Sequence, residues 1–370
     1  MPTIKEIAKA SGVSVTTVSN IINEKGKVSE ETRIRVQKII EEMNYTPNSV
    51  AKNLKTKNSR CIGVIAEDMT VFALPDIIDG ITEYCEKEDY QILLVNLRLY
   101  KKFEDTYYRS DSYGDIVQRE IQKLVAKQVE GIIYVAAHER LINVFPEQLP
   151  VPMVVAYGYT SHRGIPSVMV SDEQGARELV KYLISMGHRR IGVIAGKKYS
   201  MHTRSRLEGY QRALFEGNVL YDPDLVVYGG WERESGYRNT DYLIEKNVTA
   251  IFCMNDFMAG GAYDRLDERK LKVGRDIAVA GYDNREMAGY EKPPLTTMGL
   301  PLHDIGYRAS EIILDMLKKE EKNTEEADIY YVDCKPYIHQ SVNQLKTEKR
   351  RAYENCNNDC GQSLSGGTDR

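Results

Sequence analysis

Apolar positions along this 370-residue chain follow two different periods, and the change between them falls near residue 60. Before that point the spacing is helical. Ile4, Ile7 and Ala8 share one face of a helix ending near Ser11, and Val18, Ile21 and Ile22 share one face of a second, over 15–23. Thr3-Ile-Lys-Glu6 fits a capping box ahead of the first helix, Gly12 is free to take a left-handed turn, and Ser14 is placed to cap the second. Ser29 is placed to cap a third helix with Ile34, Val36, Ile39, Ile40 and Met43 as its apolar stripe. Two short helices joined by a glycine-containing turn form the helix-turn-helix pattern. A fourth helix is predicted within 45–55, with Thr46 as cap, Pro47 in its first turn, and Val50, Ala51 and Leu54 on one face. At about two turns it is too short to persist alone in water. Something outside it must hold it.

Beyond residue 60 short β-branched runs alternate with helical patterns. The strand candidates are 62–66, 92–96, 131–135, 153–156 and 167–170, then 191–195, 225–227, 250–254 and 277–280. Helices such as 178–186, closed by Gly187, and 206–215, closed by Gly217, lie between them. Alternation of this kind predicts α/β architecture with parallel sheets covered on both faces. Nine strands suit two five-stranded lobes, with a strand supplied after a late crossover. Ligands bind such sheets at the carboxyl ends of the strands, which places a ligand between the lobes.

Composition is that of an ordinary globular protein, with 42% hydrophobic and 28% charged residues. The net charge of −4 hides an asymmetry: residues 1–60 hold 11 Lys/Arg and 6 Asp/Glu, a net of +5, against −9 for the rest. A small basic head on an acidic body suits a polyanion bound by the head alone. No apolar run approaches the ~18 residues of a membrane helix, and no apolar segment follows a basic start as in a signal peptide. A cytoplasmic location is expected. The six cysteines (61, 85, 253, 334, 356, 360) are scattered and read as free thiols rather than metal ligands.

Candidate chemistry lies in both parts. The outer face of the second helix carries Val15, Thr16, Ser19 and Asn20, which suit a major groove: Asn pairs bidentately with adenine, and Val and Thr methyls meet thymine methyls. Lys5, Lys9 and Thr17 are placed for phosphates. A three-helix protein–protein module has the same spacing. In the body, Gly192-Val-Ile-Ala-Gly196-Lys197 has one residue too few for a phosphate loop and no Ser/Thr after the lysine. It reads as a buried strand and turn. The six dispersed histidines form neither a metal cluster nor a catalytic set in sequence. Arg206, Asn255-Asp256 and Asp283 follow strands and could surround a polyhydroxyl ligand, with Trp231, the single tryptophan, stacking on it. The residues alone are equally those of helix caps, a surface ion pair and a core aromatic.

Ile4-Lys-Glu-Ile-Ala-Lys-Ala-Ser-Gly-Val-Ser-Val-Thr-Thr-Val-Ser-Asn-Ile-Ile-Asn23 resembles the headpiece of the lac/gal repressor (LacI/GalR) family. Val28-Ser-Glu-Glu-Thr-Arg33 and Asn44-Tyr-Thr-Pro-Asn-Ser-Val-Ala-Lys-Asn-Leu54 continue the likeness, which runs to about residue 340. The resemblance implies a DNA-binding transcriptional regulator, not an enzyme, without cofactor or metal. It assigns base reading to Val15, Thr16 and Asn20, and a minor-groove wedge to Leu54 at the centre of a palindromic operator. Asn48 and Ala51 complete the hinge's DNA-facing set, and Lys55 resembles the purine-repressor branch. The body would be the family's periplasmic-binding-protein-like core.

Arg206 in Ser205-Arg-Leu-Glu-Gly209 matches the family's effector-binding arginine, and Asn255 and Asp283 match its sugar-contacting pair. Trp231 matches the aromatic that stacks on the ligand, and Phe72, Glu67, Tyr157 and Asp172 fall near first-lobe pocket positions. Ala66-Glu-Asp68 departs from the usual small polar residues, and a carboxylate there argues against anionic ligands. The purine branch's pocket pattern is also imperfect here, so the expected effector is a small sugar, controlling a carbohydrate-utilisation operon. A nucleobase co-repressor, a phosphocarrier protein partner and a transport solute-binding module are the alternatives. The implied divisions are a headpiece over 1–45, a hinge over 46–60 and a two-lobed domain over 61–345. Lobe 1 takes about 61–168 and 290–325, and lobe 2 about 169–289 and 326–345. The polar tail 346–370 lacks leucine heptads, so a homodimer is expected.

Overall fold

The computed structural model describes residues 2–23, 25–45, 59–318 and 328–345, and the chain divides into two compact units, Met1–Ser59 and Arg60–Arg370. The hinge expectations for Thr46, Pro47, Asn48, Val50, Ala51, Leu54 and Lys55 lie outside the described residues, as do Cys356, Cys360 and the tail.

The first unit contains α1 (Ile4–Ser11), α2 (Val15–Ile22) and α3 (Glu30–Glu42). The capping box is present: Glu6 N–H donates to Thr3 Oγ1, and Thr3 N–H donates to Glu6 Oε2 at 2.7 Å. Gly12 takes φ 65°, a left-handed conformation that ends α1 without a Cβ clash. Ser14 Oγ accepts from Thr17 N–H at 3.0 Å and so starts α2. Ile7, Ala8, Val18, Ile21 and Val36 form the core, with Ile39, Ile40 and Met43 packed against it. Ile34 is not among them. It is 58% exposed, because two residues before Val36 is about 200° around the helix. Ser29 sits at the N-cap of α3, but its hydroxyl meets Thr32's at 2.8 Å and leaves the helix amides to solvent.

The second unit holds two six-stranded sheets. The first is ordered β11-β5-β4-β3-β1-β2 and wholly parallel, from β1 (Cys61–Ala66), β2 (Gln91–Asn96), β3 (Gly131–Val135), β4 (Met153–Ala156), β5 (Ser167–Val170) and β11 (Ile329–Val332). The second is ordered β12-β10-β9-β8-β6-β7, from β6 (Ile191–Ala195), β7 (Val226–Tyr228), β8 (Ala250–Cys253), β9 (Ala278–Asp283), β10 (Thr296–Gly299) and β12 (Lys335–Tyr337). Only β12 runs antiparallel to its neighbour, and it carries Pro336 on the sheet edge, where a missing N–H costs no ladder bond. The central strands are buried on both faces, which is why their sequences read as continuous apolar runs.

Six strands per sheet replace the expected five, and the passages between lobes also differ. β10 pairs in the second sheet and β11 in the first, whereas 290–325 was expected in lobe 1 and 326–345 in lobe 2. Short strands buried in either sheet have the same apolar signature, so the pattern carries no sheet assignment. The chain crosses at Ser171, between β10 and the helix that follows it, and between β11 and β12.

Helices α4 (Ala73–Lys87), α5 (Leu99–Phe103), α6 (Gly114–Ala126) and α11 (Leu302–Lys318) accompany the first sheet. Helices α7 (Asp172–Ser185), α8 (Met201–Glu216), α9 (Arg233–Glu245) and α10 (Asp256–Glu268) accompany the second. α4 and α11 touch through Gly80 and Gly306: a Cβ on Gly80 would lie 2.0 Å from His303 O, and one on Gly306 1.9 Å from Ile77 O. Among the described residues no helix is long and apolar enough to cross a membrane. Cys85, Cys253 and Cys334 are buried free thiols, and Cys61 is half-buried.

Candidate DNA-reading face and ligand cleft

On the first unit, Val15 (42% exposed) and Thr16 project from the first turn of α2, while Thr17, Ser19 and Asn20 are half-buried along the same helix. The Thr17 hydroxyl lies 2.9 Å from that of Ser14, so part of its capacity is spent on the cap. Asn20 lies against Gly26, where a Cβ would come within 3.3 Å of Asn20 Nδ2. Lys5 and Lys9 are exposed. This is a short, mostly polar face on α2, with two exposed lysines on the helix before it.

On the second unit a cavity of about 600 Å³ opens between the lobes at the carboxyl ends of the strands. Six of the eight expected effector residues line it: Phe72 and Tyr157 from the first lobe, and Arg206, Trp231, Asn255 and Asp283 from the second. It adjoins a second cavity of about 390 Å³, the two sharing His138 and Trp231.

Arg206 is the hub. It is one turn into α8, and its guanidinium lies 3.8 Å from the Tyr282 ring centroid. Nε donates to Asp172 Oδ1 at 2.8 Å; Nη1 donates to Met254 O and lies 3.5 Å from Asp283 Oδ1. Nη2 takes no part in these bonds. Asp172, the first residue of α7, does not line the cavity. Its other oxygen accepts from His202 Nδ1 at 2.5 Å, so it positions Arg206 and His202 from behind. Burial alone would raise the Asp172 pKa, but Arg206 and His202 outweigh it and hold the carboxylate below its ordinary range. Asp283 ends β9 at φ 102°, a conformation rare for a residue with a side chain. Burial pushes its pKa up to about 6, against the pull of Arg206 and His202.

Asn255 is chiefly architectural. Its Oδ1 caps α10 by accepting from Met258 N–H at 2.8 Å, and its Nδ2 donates to Trp231 O at 2.8 Å. Trp231 in turn lies flat on Gly196, where a Cβ would be 2.2 Å from the indole. The glycine that resembled a phosphate loop is therefore the floor beneath the tryptophan. Asp256, also a cap candidate, is instead buried beneath β9, accepting from Thr297 Oγ1 at 2.6 Å and Arg285 N–H at 2.7 Å. Burial, reinforced by Asp283, pushes its pKa up to about 8.

Glu67 corrects an expectation. It is fully buried and does not face the cavity. Arg140 clamps it bidentately at 2.6 and 3.0 Å, and Tyr134 O–H and Ala137 N–H donate to it at 2.7 and 2.8 Å. Its charge is neutralised inside the first lobe. The argument it supplied against anionic ligands therefore falls.

Sequence reasoning missed His202, Glu139, Phe257 and Arg285. His202 was within reach, since it stands four residues before Arg206 and so shares its helix face. Glu139, His202 and Asp172 offer ligand atoms within 4.8 Å of one another. Both Asp172 oxygens are already committed to Arg206 and His202, which leaves that trio poorly suited to a cation. Arg285 is held between Phe72 and Phe257, at 4.3 and 4.2 Å from their ring centroids, and with Lys197–Asp105 at 3.1 Å it ties the two lobes together.

A helix-turn-helix unit ahead of a two-lobed parallel-sheet domain with a cleft at its switch points defines a DNA-binding transcriptional regulator. Residues 3–48 match the model for "Bacterial regulatory proteins, lacI family", and residues 180–342 that for "Periplasmic binding protein-like domain". The chain is 35% identical over 326 residues to the HTH-type transcriptional repressor PurR of Vibrio campbellii, covering 87% of this chain and 93% of that protein. The PurR repressor of Vibrio cholerae is 33% identical over 328 residues, at the same coverage. Among solved structures, the lac repressor dimer bound to operator and the anti-inducer ONPF superposes with a TM-score of 0.72 at 25% identity, covering 92% of this chain and 99% of that one. The complex of the regulator CelR with cellobiose gives 0.58 at 25% identity, covering 92% and 100%. The chain belongs to the lacI family of bacterial regulatory proteins. It is a DNA-binding transcriptional repressor rather than an enzyme.

Proposed function

We propose that this repressor acts in the cytoplasm as a homodimer on a palindromic operator, and that a small flat heterocycle of the nucleobase class, held in the 600 Å³ cleft, sets its affinity for DNA. Residues 1–45 read the major groove, 46–60 form the hinge, and 61–345 sense the ligand. The observation that carries the ligand class is the pairing of a free donor and a free acceptor beside a stacking ring. Arg206 Nη2 and the outer oxygen of Asp283 complement the N–H and C=O edge of a lactam, while Trp231 supplies a face for its ring. Asn255 spends one amide hydrogen on Trp231 and one lone pair on α10, which leaves it one donor and one acceptor for the ligand. The name PurR of the Vibrio relatives and the likeness of Lys55 to the purine-repressor branch support the same class. The coupling would follow from lobe closure, which Phe72 and Arg285 span. A neutral sugar is the second reading, favoured by the adjoining 390 Å³ cavity, which lengthens the chamber enough for two rings.

Calorimetry with adenine, guanine, hypoxanthine and uracil against glucose and cellobiose separates the two. Binding of a base but neither sugar supports the proposal, and the reverse replaces it. Silence to all six and to their acidic derivatives points to a phosphocarrier partner instead. Arg206→Ala and Asp283→Ala should abolish the response while operator binding persists. In a gel-shift assay on a palindrome with a central CG step, Asn20→Ala should weaken binding by about 1–3 kcal/mol if it reads a base.

A further inference from the structure

The cations lining the two cavities differ in one respect. Arg140 is clamped to Glu67, and Arg206 is committed to Asp172, Met254 O and Asp283. Arg233 is held by Asp264 at 2.6 Å and Glu291 at 3.2 Å, and Lys197 by Asp105 at 3.1 Å. His138 is kept neutral, its pKa pushed down to about 3 by burial and the charge of His202. Among the described residues Arg285 is the arginine of this chamber whose guanidinium has neither an ion-pair partner nor a hydrogen bond. It is nonetheless rigidly placed. Its backbone N–H is fixed by Asp256 at 2.7 Å, and its guanidinium lies between two phenylalanine rings, at 4.3 and 4.2 Å. Stacked aromatic rings satisfy the faces of a guanidinium but not the N–H groups on its edge. Those edges are left for the cavity that Arg285 lines.

We propose that Arg285 is an anion-reading residue, and that the effector carries an acidic oxygen group, a carboxylate or a phosphate, on the side opposite the lactam edge. A planar guanidinium fork matches two oxygens of either group in a bidentate pair, and an oxygen anion is the acceptor that makes its strongest hydrogen bonds. The neighbouring carboxylates are already engaged. Glu67 is neutralised by Arg140, and Asp283 faces Arg206. Glu232, which also lines the cavity, accepts from Trp231 N–H at 2.7 Å and from the Ser235 hydroxyl. The site also reports closure, because Phe72 belongs to the first lobe and Phe257 and Arg285 to the second. Opening the lobes removes one ring and frees the guanidinium to swing into water. An anion on Arg285 therefore favours the closed arrangement.

The proposal rests on the heterocycle reading only for its scaffold, and matched pairs of probes separate the two. Uracil is compared with its carboxylate orotate, hypoxanthine with inosine monophosphate, and glucose with glucose 6-phosphate, each by calorimetry on the full chain and on Arg285→Gln. The acidic member of at least one pair should bind about tenfold tighter or better, a preference that Arg285→Gln should remove and Arg285→Lys should partly restore. The orotate and monophosphate arms distinguish carboxylate from phosphate. If only the glucose pair responds, the heterocycle reading fails and Arg285 stands. If no organic probe binds, inorganic phosphate should still raise the melting temperature of the wild-type chain and not of Arg285→Gln. The proposal is overturned if neutral members bind as tightly as acidic ones, if the acid preference survives in Arg285→Gln, or if neither phosphate nor any acidic probe has an effect.

Discussion

Gly196→Ala isolates the contribution of the tryptophan platform. Gly196 has no left-handed backbone conformation to lose, so alanine brings no strain of its own. The added methyl would stand 2.2 Å from two indole carbons of Trp231, and ordinary contact begins at 3.4 Å, so the ring must retreat by about 1.2 Å. With Gly196 beneath it the ring is driven toward the ligand's side of the cleft, and to regain contact distance it must tilt or turn, giving up on the order of a quarter to a half of its stacking contact. Stacking of a base on an aromatic side chain is worth about 1–3 kcal/mol, so the loss should be roughly 0.3–1.5 kcal/mol, or about two- to twelvefold in Kd. The assay is built into the chain, because Trp231 is its single tryptophan. Emission wavelength and acrylamide quenching follow the ring in the ligand-free protein, and a fluorescence titration gives the Kd. Operator binding without effector should be unchanged. Unaltered emission together with an unaltered Kd would refute the platform. So would a stability loss beyond the ~1–3 kcal/mol of ordinary overpacking, since the lobe and not the ring would then have absorbed the methyl.

Glu67→Gln should destabilise the second unit by about 3–5 kcal/mol in urea, because it leaves the Arg140 charge buried without its partner. Glu67→Gln with Arg140→Met should lose less than the first change alone, and an equal or larger loss would show that the pair is not the source. The ligand-free protein should melt at progressively lower temperature as pH rises from about 5 to about 8. Asp256 and Asp283, with pKa values pushed up to about 8 and about 6, keep protons that the unfolded chain has already released near its ordinary value of 3.8. The folded state binds more protons across that window, so its advantage is present at low pH and lost as pH climbs through the folded values. Glu139, pushed up to about 7 by burial, and His202, raised by Asp172 against the effect of burial, act in the same direction. They offset His138 and His188, whose pKa values are lowered by burial and which oppose the trend below their ordinary value of 6.5. Asp172, held low, contributes in the opposite sense only below its ordinary range. A melting temperature that rises from pH 5 to 8 would contradict this, and Asp256→Asn should flatten the slope.

What could be read from the sequence was local. The capping box, the turn at Gly12 and the face of α2 depend on residues within a few positions of one another. The placement of Arg206, Trp231 and Asp283 at one cleft followed from a general property of parallel sheets, whose strand ends converge. The errors at the site came from distant partners. Glu67 looked like a ligand contact because Arg140, 73 residues away, is invisible as its partner until the fold brings them together. Arg285 was passed over because the rings that hold it come from both lobes. Asn255 lines the cleft as expected, and its second task, capping the helix it starts, shows only in the fold. The assignment of β10 and β11 failed for a different reason. A buried β-branched run records that it is buried, but not in which sheet.

The three passages of chain between the lobes have a consequence for how the molecule can come apart. No single cut parts the lobes cleanly: one at Ser171 leaves β11 and α11 of the first lobe on the second lobe's fragment, and a chain ending after β10 lacks β11 from the first sheet and β12 from the second. The lobes are laced rather than strung. Exchange of one lobe between two relatives therefore requires several coordinated junctions, and a single recombination event delivers a hybrid in which at least one sheet is mixed. The unit of inheritance is the pair, with the ligand chamber enclosed by the lacing that keeps its walls together.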